Sequence, residues 1–560
     1  MRVVVVPTGD GGGRLQVVDE AGAPVGPVQV AGDLADQVAR WERERQPRWV
    51  WPDTTEVYPG LLAAGVRVAR CHDLALTEGL LLAYQGSAGA PRGLAAAWAR
   101  LRGEPVPEDA PRARVAVEQP TLFEPAQARL AGGADPLEAA VAVYAAQLRA
   151  MAEVGHAERF RLLVAAESAG ALAAAEMSHH GVPWRADVHD ALLTELLGPR
   201  PVGGGKPPRL VELAARISEA FGGRPVNPDS PADLVRAFAR DGVELPSTRS
   251  WVLRGVDHPA VAPLLEYKEL ARLHSAHGWS WLESWVRGGR FHPEYVVGGV
   301  VSGRWATRGG AALQLPRVVR RAVVAEPGWV LVVADAAQLE PRVWAALSGD
   351  RRLAGFAAAG DLYAALGAEV FDGDRARAKV GLLSAMYGGT SGGAGPVLAV
   401  LRRRFPAAVG FVEAAARAGE EGRLVRSRLG RTSPPPPGWW RETVERAALG
   451  VDAVDERRAR RATRDWGRFT RNFVVQASAA DWALVLLAVL RRRVARWGSR
   501  VELVFFQHDE VVLHCARELG GAVRDVVEES AVEASRLVFG VTPVRFPLQV
   551  SVVECYAEAK

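Results

Sequence analysis

The sequence predicts a multidomain α+β protein, and three of its features support this prediction. The chain has 560 residues, whereas a single hydrophobic core stops growing at about 250–300 residues, so two to four domains or subdomains are expected. Short β-branched runs occur towards both ends, and long Ala- and Leu-rich stretches with helical periodicity lie between them. The composition is 49% hydrophobic and 24% charged, which excludes a disordered chain.

The first 290 residues predict an α/β unit followed by helices. Around one helix near Leu34–Glu44, β-branched runs predict three strands: Val3–Val6, Leu15–Val18 and Trp49–Trp51. Residues 80–200 and 209–290 have helical periodicity. A Pro-rich loop near 104–120 and a Gly- and Pro-rich turn at Pro201–Pro208 interrupt these helices.

The C-terminal half predicts strands again, with helices between them over about 342–425. The predicted strands are Val296–Val301, Trp329–Ala334, Val501–Gln507 and Val511–Cys515. Pro434–Pro437 cannot be helical and predicts an exposed loop. Arg457–Arg471 predicts a strongly basic helix, and Ala477–Val494 predicts an apolar one.

The charged residues indicate a weak preference for a polyanionic partner, because the net charge is +5 and the pI is near 9.3. Of 69 basic residues only four are lysine: Lys206, Lys268, Lys379 and Lys560. A lysine kept against such an arginine excess indicates a position where a planar guanidinium cannot replace a compact ammonium. The N-terminus lacks a signal-peptide core, and no run of 18 apolar residues occurs, so a cytoplasmic protein is expected.

Two short segments place carboxylates where strands end. A predicted buried strand delivers Asp335 just before a helix begins, a position that helix-capping Asp residues also favour. His508, Asp509 and Glu510 occupy the turn of an apolar hairpin. Asn-Gly or Asp-Gly is usual in such turns, so three bulky ionisable residues support a functional and a structural interpretation about equally.

A third segment forms one stripe on a predicted helix. Arg375, Lys379, Leu383 and Tyr387 are four residues apart and therefore share a face that spans about 18 Å. Two cations followed by an apolar and an aromatic group suit the phosphates and the base of a nucleoside triphosphate. A partly buried amphipathic helix with a solvated basic end would show the same pattern, and the scarcity of lysine favours the functional interpretation.

Together these segments resemble motifs A, B and C of family A DNA polymerases, the DNA polymerase I type, over about residues 160–560. Motif A is matched by Asp335, Gln338, Glu340 and Arg342; motif B by Arg375, Lys379, Tyr387 and Gly388; and motif C by His508, Asp509 and Glu510. Ser302-Gly303-Arg304 and Leu313-Gln314 resemble segments that touch the primer–template. Arg468, Asn472 and Gln476 are similar to a helix on the minor-groove side.

The resemblance implies a template-directed DNA polymerase that adds dNTPs to a primer 3′-hydroxyl by a two-metal mechanism. Asp335 and Asp509 would hold two Mg²⁺ ions, for which Mn²⁺ is expected to substitute. The implied catalytic residues are Asp335, Asp509, Glu510 and Lys379, with Lys379 as a proton donor to pyrophosphate. Primer–template DNA and dNTPs are the implied partners of a monomer that is associated with the nucleoid of a bacterium rather than with a membrane.

The resemblance also implies two sets of binding residues. The nucleotide-binding set is Arg375, Lys379, Leu383, Tyr387, Gln338, Glu340 and Tyr363. The DNA-binding set is Arg304, Gln314, Arg468, Asn472, Gln476 and His508. Within these sets, Glu340 would crowd the sugar 2′ position, Tyr387 would lie against the template base or the nascent pair, and His508 would contact the primer terminus.

A right-hand fold follows from the resemblance, preceded by a ribonuclease-H-like α/β domain. The expected units are an inactive 3′–5′ exonuclease-like domain at 1–155, a thumb at 156–290, a palm at 291–350 and 477–560, and fingers at 351–476. No 5′-nuclease domain is expected before residue 1. The exonuclease-like domain is expected to be inactive because its first strand, Val3–Pro7, carries no carboxylate, and the Asp expected after Tyr144 is missing. Asp53, Glu56 and Asp73 are predicted to be surface or turn residues, so proofreading is not expected.

Several positions depart from the family pattern. Leu383 stands where the family has an aromatic residue, Leu382 where Asn is usual, Ser384 where Gly is usual, and Tyr363 at a phosphate-binding His. These changes predict an altered nucleotide pocket and leave a second interpretation open, a catalytically weak polymerase-like protein that acts mainly as a primer–template-binding module. A nuclease is a third interpretation, which the missing carboxylates of the N-terminal domain disfavour.

Overall fold

A computed structural model describes the protein over residues 1–109, 130–389, 394–450 and 452–559. Most of the Pro-rich loop predicted near 104–120 lies outside these residues. Within the described parts of the chain, two large sheets are separated by helical regions.

The N-terminal unit contains a five-stranded mixed sheet with helices on both faces, as the α/β prediction requires. Its elements are β1 (Arg2–Pro7), β2 (Gly13–Val18), β3 (Gln29–Ala31), α1 (Leu34–Arg45), β4 (Arg48–Trp51), α2 (Thr54–Ala63), β5 (Cys71–Asp73), α3 (Leu74–Tyr84), α4 (Leu94–Arg102) and α5 (Pro136–Glu153). The strand order is β3-β2-β1-β4-β5, with β1 parallel to β4 and β4 parallel to β5. Successive residues of β1 alternate between two cores, Val3 packing with Trp49 and Val4 with Tyr144.

Two acidic residues of this unit, Asp53 and Asp73, are buried where a strand leads into a helix, so the prediction of surface positions is wrong for both. The Asp73 side chain accepts from the amides of Thr54 and Leu76 at 2.7 and 2.8 Å, and Asp53 accepts from the amide of Thr55 at 2.8 Å. Asp53 caps α2 and Asp73 caps α3, so each carboxylate satisfies amides at the start of a helix. Burial and the neighbouring Asp53 raise the pKa of Asp73 to about 7. Glu56 is exposed, as expected.

The next region is almost entirely helical, as predicted. It contains α6 (Ala157–His180), β6 (Val182–Pro183), α7 (Ala186–Leu197), α8 (Pro208–Ala220), α9 (Pro231–Arg240), α10 (Ser250–Leu253), α11 (Val261–His277) and α12 (Trp279–Trp285). Helix α7 ends at Leu197 and α8 begins at Pro208, so the turn predicted at Pro201–Pro208 lies between the helices, with Pro208 as the first residue of α8. Ser230 caps α9 and Pro231 occupies its first turn, where a missing amide costs nothing.

Four two-residue strands lead into the central strand of the second large sheet. They are β7 (Val286–Arg287), β8 (Arg290–Phe291), β9 (Tyr295–Val296) and β10 (Ala306–Thr307), followed by β11 (Trp329–Ala336) and α13 (Leu339–Ser348). The strand predicted at Val296–Val301 is wrong beyond Val296. Gly298 has a φ of +60°, and the amide of Gly299 turns back to the carbonyl of Val296 at 3.1 Å.

The predicted fingers region consists of helices. They are α14 (Arg351–Ala357), α15 (Leu362–Val370), α16 (Arg375–Tyr387), α17 (Ala394–Arg404), α18 (Pro406–Glu420), α19 (Gly438–Ala448) and α20 (Ala453–Val494). The basic and apolar helices predicted separately are one 42-residue helix, α20. Pro434–Pro437 is not helical, as predicted, but it is buried or half-buried rather than exposed, because Pro436 packs near Gly422 beside Trp440.

The chain ends in three strands that complete the second sheet. They are β12 (Val501–Gln507), β13 (Glu510–Ala516) and, after α21 (Gly520–Phe539), β14 (Leu548–Val553). The order is β12-β13-β11-β14, and every neighbouring pair is antiparallel. One face packs on α20 and α21 and the other on the helical region before it, so β11 is buried on both sides.

Helix α20 is long and apolar enough, by length and composition alone, to cross a membrane. However, 89% of its most apolar 18-residue window is buried inside the protein. These apolar side chains are therefore used as core, packing on α21 and the second sheet.

Candidate active site

Asp335 and Asp509 meet at one edge of the second sheet. Asp335 lies near the carboxyl end of β11, and Asp509 lies in the two-residue turn between β12 and β13. The amide of Ala336 donates to the carbonyl of Asp509 at 3.2 Å, and Asp335 is the cross-strand partner of Glu510. Directly paired residues of antiparallel strands have Cβ atoms about 4.5–5.5 Å apart. The fold therefore brings all three predicted carboxylates to one place.

Two polar residues beside these carboxylates hold the backbone in the left-handed region. His508, in the hairpin turn, has a φ of +58°, and Gln338, before α13, has a φ of +57°. Such a φ favours glycine, and a bulkier residue there costs on the order of 1–3 kcal/mol. Strained non-glycine residues of this kind cluster at functional sites, so the backbone supports a functional interpretation of both loops.

Glu510 has different partners from the two aspartates. It is buried on β13, and its Oε1 accepts a hydrogen bond from the Tyr556 hydroxyl, while Arg320 Nη1 lies 3.6 Å from the same oxygen. The Arg320 guanidinium lies over the Tyr556 ring at 4.3 Å. Burial, together with the Glu510 charge, raises the pKa of Tyr556 far above its usual range. Tyr556 and Arg320 thus hold the Glu510 carboxylate in place next to the sheet edge that carries Asp335 and Asp509.

Glu340 connects three segments around a cleft. Its carboxylate accepts hydrogen bonds from Arg304 and from the Tyr387 hydroxyl at the end of α16. Burial raises the pKa of Glu340, and the Arg304 cation opposes this shift. The cleft is about 300 Å³ in volume, a size that suits small ligands, and Asp509 lines it together with Leu383 and Glu340.

Two residues predicted to bind nucleotide are tied to the start of α15. Gln338 Nε2 donates to Asp361 Oδ1 at 2.7 Å, and Gln338 Oε1 accepts from the Leu362 amide at 2.9 Å. Arg375 Nε donates to Asp361 Oδ2 at 2.9 Å, and its guanidinium lies 5.7 Å from the Tyr363 ring. The Arg375 side chain is 53% exposed, so it can exchange Asp361 for another anion.

Helix α16 presents the predicted stripe as expected from its spacing. Lys379 is exposed and makes no hydrogen bond or ion pair with any residue that the structure describes. Leu383 is half-buried in the cleft wall. Leu382, by contrast, is fully buried in the core. The change at position 382 therefore alters the packing of the helix rather than the cleft lining.

The predicted DNA-binding residues form two groups. Arg304 and His508 line the cleft, and Gln314 Oε1 accepts from Arg272 Nη2 of α11 at 3.0 Å. The second group, Arg468, Asn472 and Gln476, follows one face of α20 at four-residue intervals. Ala480, one turn after Gln476, lines the cleft with Arg304 and His508, so α20 runs from the second group into the first.

Sequence reasoning missed two residues that position the site. Arg471 Nε donates to the carbonyls of Ala385 and Met386 at 2.9 and 3.2 Å, which satisfies the carbonyl end of α16. Tyr556 supports Glu510 from 46 residues away. Neither contact is local in sequence, so no pattern pointed to Tyr556. For Arg471 the only signal was its place in the basic run.

The arrangement can hold divalent cations through oxygen ligands. In the described part of the chain no group of three or more His, Cys, Asp or Glu side chains has the geometry of a metal site. A pair of carboxylates is nevertheless sufficient for Mg²⁺, which keeps several waters and takes further ligands from substrate phosphates. Asp335 and Asp509 are both half-buried at one edge of the sheet, and Asp509 lines the cleft, so the pair fits that chemistry.

An antiparallel sheet that carries two carboxylates at one edge, flanked by helical regions on either side of a cleft, defines the right-hand polymerase class. A solved structure supports this fold: the POL domain of Pol1 from M. smegmatis, in a complex with DNA primer-template and dNTP, superposes with a TM-score of 0.69. The two are 18% identical, and the alignment covers 100% of this chain and 95% of that one.

The chain belongs to DNA polymerase family A, whose family model matches residues 207–555. It is 28% identical over 285 residues to DNA polymerase I of Chloroflexus aurantiacus, which covers 46% of this chain and 28% of the relative. It is 27% identical over 323 residues to the thermostable DNA polymerase I of Thermus aquaticus, covering 53% of this chain and 36% of that protein. The match thus spans about a third of these relatives.

Proposed function

We propose that the protein is a template-directed DNA polymerase that adds dNTPs to the 3′-hydroxyl of a primer. The observation that carries this proposal is the meeting of Asp335 and Asp509 at the edge of a cleft, in a chain that belongs to DNA polymerase family A. The relatives named as DNA polymerase I and the M. smegmatis complex with primer-template and dNTP support it. The cytoplasm, at the nucleoid of a bacterium, is the corresponding location.

Asp335 and Asp509 would hold two Mg²⁺ ions, with Mn²⁺ as a substitute. When bound, the ions would activate the primer hydroxyl and neutralise charge on the phosphates. The aspartates orient the reacting groups, because one lies on a buried strand and the other in a hairpin turn that is hydrogen-bonded to that strand. Glu510 is a positioning residue, since Tyr556 and Arg320 hold its carboxylate.

Helix α16 would bind the triphosphate. Lys379 is free to meet a phosphate oxygen and to deliver a proton to the departing pyrophosphate. Arg375 would exchange Asp361 for a phosphate, and Gln338 and Tyr363 support that end of the helix. Leu383 would face the sugar, and Glu340, beside Tyr387, would exclude a 2′-hydroxyl.

The primer–template would lie along Arg304, Gln314 and His508 on one side and the α20 group on the other. The Oδ1 atom of Asn472 is buried without a hydrogen-bond partner among the described residues. A buried amide oxygen without a hydrogen bond costs free energy, and a hydrogen-bond donor on a bound ligand would offset that cost. The N-terminal unit would not proofread, since Asp53 and Asp73 are engaged as helix caps.

Primer extension tests the proposal. With Mg²⁺ and four dNTPs, the wild-type protein is expected to extend a labelled primer, and Asp509→Ala is expected to reduce the rate by at least about a thousandfold, because charge stabilisation of this kind supplies several kcal/mol. Asp350→Ala, which removes a carboxylate that caps α14, is the matched control for loss of an aspartate. Correct folding of each variant is checked by circular dichroism.

A specific observation favours one alternative, a weak polymerase that mainly binds primer–template. Leu383 lacks the aromatic ring that the family pattern places there, which leaves the cleft wall aliphatic. The alternative predicts tight DNA binding with no extension in either Mg²⁺ or Mn²⁺. Degradation of single strands without dNTPs would instead point to a nuclease.

A further inference from the structure

The N-terminal half of α20 is strongly charged, and apart from Arg468 its arginines have no role in the proposed function. Arg457–Arg471 contains seven arginines and one carboxylate, Asp465. The net charge of the whole chain is +5, so these fifteen residues carry more net positive charge than the protein does. Only Arg468 from this segment belongs to the proposed DNA-binding set.

Four of these arginines lie on one narrow face, which we call the arginine stripe: Arg457, Arg461, Arg464 and Arg468. Their spacing of four, three and four residues places them within a single stripe of an α-helix. All four side chains are exposed, and the stripe is about 16 Å long.

The opposite face of the helix holds it in place without help from the stripe. Ala459, Ala462, Gly467 and Thr470 are buried there. Trp440 Nε1 of α19 donates to the Ala462 carbonyl at 3.1 Å, and Thr470 Oγ1 donates to the Ala415 carbonyl of α18 at 2.8 Å. Small residues allow this close packing, so the scaffold presents the arginines on a fixed axis.

The charges of the stripe are largely uncompensated inside the protein. Arg461 lies 3.8 Å from Asp465, but the two side chains are 82% and 55% exposed, and a pair that is so solvated contributes about 0–1 kcal/mol. Arg457, Arg464 and Arg468 form no ion pair with a carboxylate of the described residues. A row of free guanidinium groups is suited to a polyanion.

One end of the stripe reaches the rim of the cleft. A Cβ atom placed on Gly388 would lie 3.8 Å from the Arg468 side chain, so the end of α16 touches the stripe. Gly388 follows Tyr387, which is bonded to Glu340 in the cleft. From this contact the stripe leads away from the cleft along α20, towards its N-terminus.

We propose that the arginine stripe binds the sugar–phosphate backbone of the single-stranded template ahead of the site of synthesis. The proposal rests on the proposed polymerase function and extends it to a second stretch of DNA. The single file of cations is matched to one backbone rather than to the two backbones of a duplex. Neutralisation of phosphates by arginine releases counterions, so the contact contributes affinity without reading sequence.

Fluorescence anisotropy on labelled primer–templates tests the stripe. The 5′ template overhang is two nucleotides in one DNA and twelve in the other, and the variant combines Arg457→Ala, Arg461→Ala and Arg464→Ala, which leaves Arg468 intact. For the long overhang we expect the variant to bind about tenfold more weakly at low salt. We also expect the slope of log K against log salt to become shallower by about 2, which is about 0.7 for each lost single-strand phosphate contact. The short overhang should bind unchanged.

The matched control combines Arg40→Ala, Arg43→Ala and Arg45→Ala, which removes three exposed arginines from α1 of the N-terminal unit. It should bind both DNAs like the wild type. Equal losses on both overhangs, or no loss on either, would overturn the proposal. A loss only when the overhang is paired with a downstream strand would also overturn it and assign the stripe to a duplex.

Primer extension on the short overhang separates this proposal from the one on which it rests. If the variant extends the primer at the wild-type rate and binds the long overhang with unchanged affinity, template binding by the arginine stripe is contradicted and the polymerase function is not. Absence of extension by the wild-type protein on either DNA would contradict the polymerase function itself.

Discussion

Tyr556 is the residue that most clearly distinguishes Glu510 from the aspartates beside it. Its hydroxyl and the Arg320 guanidinium meet the same oxygen of Glu510, and the Tyr556 ring is only 1% exposed. Glu510 and Asp335 are cross-strand partners, so a displacement of Glu510 would also displace Asp335. The phenol therefore positions the edge of the sheet that carries Asp335 and Asp509, the proposed metal ligands, without lining the cleft.

Replacing Tyr556 by Phe should loosen this edge. Loss of one donor to a buried carboxylate costs about 1–3 kcal/mol, so we expect a lower Tm and a severalfold higher Mg²⁺ concentration for half-maximal extension. Tyr295→Phe is the matched control, because the Tyr295 hydroxyl accepts from the Phe506 amide at 3.0 Å and does not contact a carboxylate of the described residues. It should lower the Tm without changing the Mg²⁺ dependence. An equal Mg²⁺ requirement in the two variants would argue against positioning by Tyr556.

Residues with local signals were predictable, and those with distant partners were not. Asp335 follows an apolar strand and Asp509 sits in a hairpin turn, so both patterns are visible within a dozen residues. The partner of Glu510 lies 46 residues away and that of Glu340 lies 47 away at Tyr387. Such contacts depend on how sheet and helices pack, which no short window contains.

At the scale of elements, α20 shows how composition can mislead. The change from arginine-rich to apolar residues suggested two helices, but no proline or glycine cluster separates them, and the backbone continues as a helix. What changes near Phe473 is the environment: the helix passes from a surface with one buried face into the core. The change in composition therefore reflects the change in burial. The start of the helix is set by its N-cap residue, Asp452.

A buried ion cluster joins α6, α20 and the loop between α18 and α19. Arg431 lies 2.7 Å from Glu167 and 2.9 Å from Asp481, and all three side chains are at most 6% exposed. A Cβ atom on Gly303 would overlap the Arg431 guanidinium, so the segment that carries Arg304 rests on this cluster. The buried ion cluster thus supports the segment that places Arg304 at the cleft.

Arg431→Met should destabilise the protein by about 3–5 kcal/mol, because two buried carboxylates would remain without their cation. Adding Glu167→Gln and Asp481→Asn should recover part of that loss. Thermal unfolding of the single variant and of the triple variant measures both effects. Arg236→Met, which breaks an exposed pair with Asp233, is the control and should cost less than about 1 kcal/mol. No recovery in the triple variant would show that the charges are not the cause.

At the scale of the whole molecule, a second buried cluster fixes the N-terminal unit to the rest. Arg491 of α20 donates to Glu176 of α6 at 2.6 Å and to the Ala69 carbonyl at 2.8 Å, and Arg67 donates to the same carboxylate at 2.9 Å. Burial alone would raise the pKa of Glu176, but Arg491 and Arg67 outweigh it and lower the pKa to about 2. The contact is ionic and shared by three parts of the chain; Arg491 and Glu176 are buried, whereas the Arg67 side chain is 38% exposed.

Stability should decrease in acid in two stages. Burial lowers the pKa of His72, His189 and His277 to about 4. Between pH 6.5 and 4 the unfolded chain therefore binds protons that the folded chain does not, and folding loses about 1–3 kcal/mol per histidine as the pH falls. Glu176, whose folded pKa is depressed, stabilises fully above about pH 4.5, and this contribution is lost between pH 4.5 and 2.

Tm measured from pH 7.5 to 3 tests this order. Glu176→Gln should be less stable at neutral pH and should lose less further stability below pH 4.5 than the wild type does. Glu529→Gln, which removes a largely exposed partner of Arg493, should keep the wild-type acid slope. A Glu176→Gln curve that runs parallel to the wild type would refute the assignment.

Helix α20 also gives the molecule a mechanical axis. Its 42 residues form a rod about 63 Å long, with the arginine stripe at one end and Arg491 at the other. If the template is gripped at the stripe, tension on that strand passes along one unbroken helix into the junction with the N-terminal unit. The N-terminal unit would then be a fixed support for the polymerase region while DNA moves through it. This role requires no catalytic activity of the N-terminal unit.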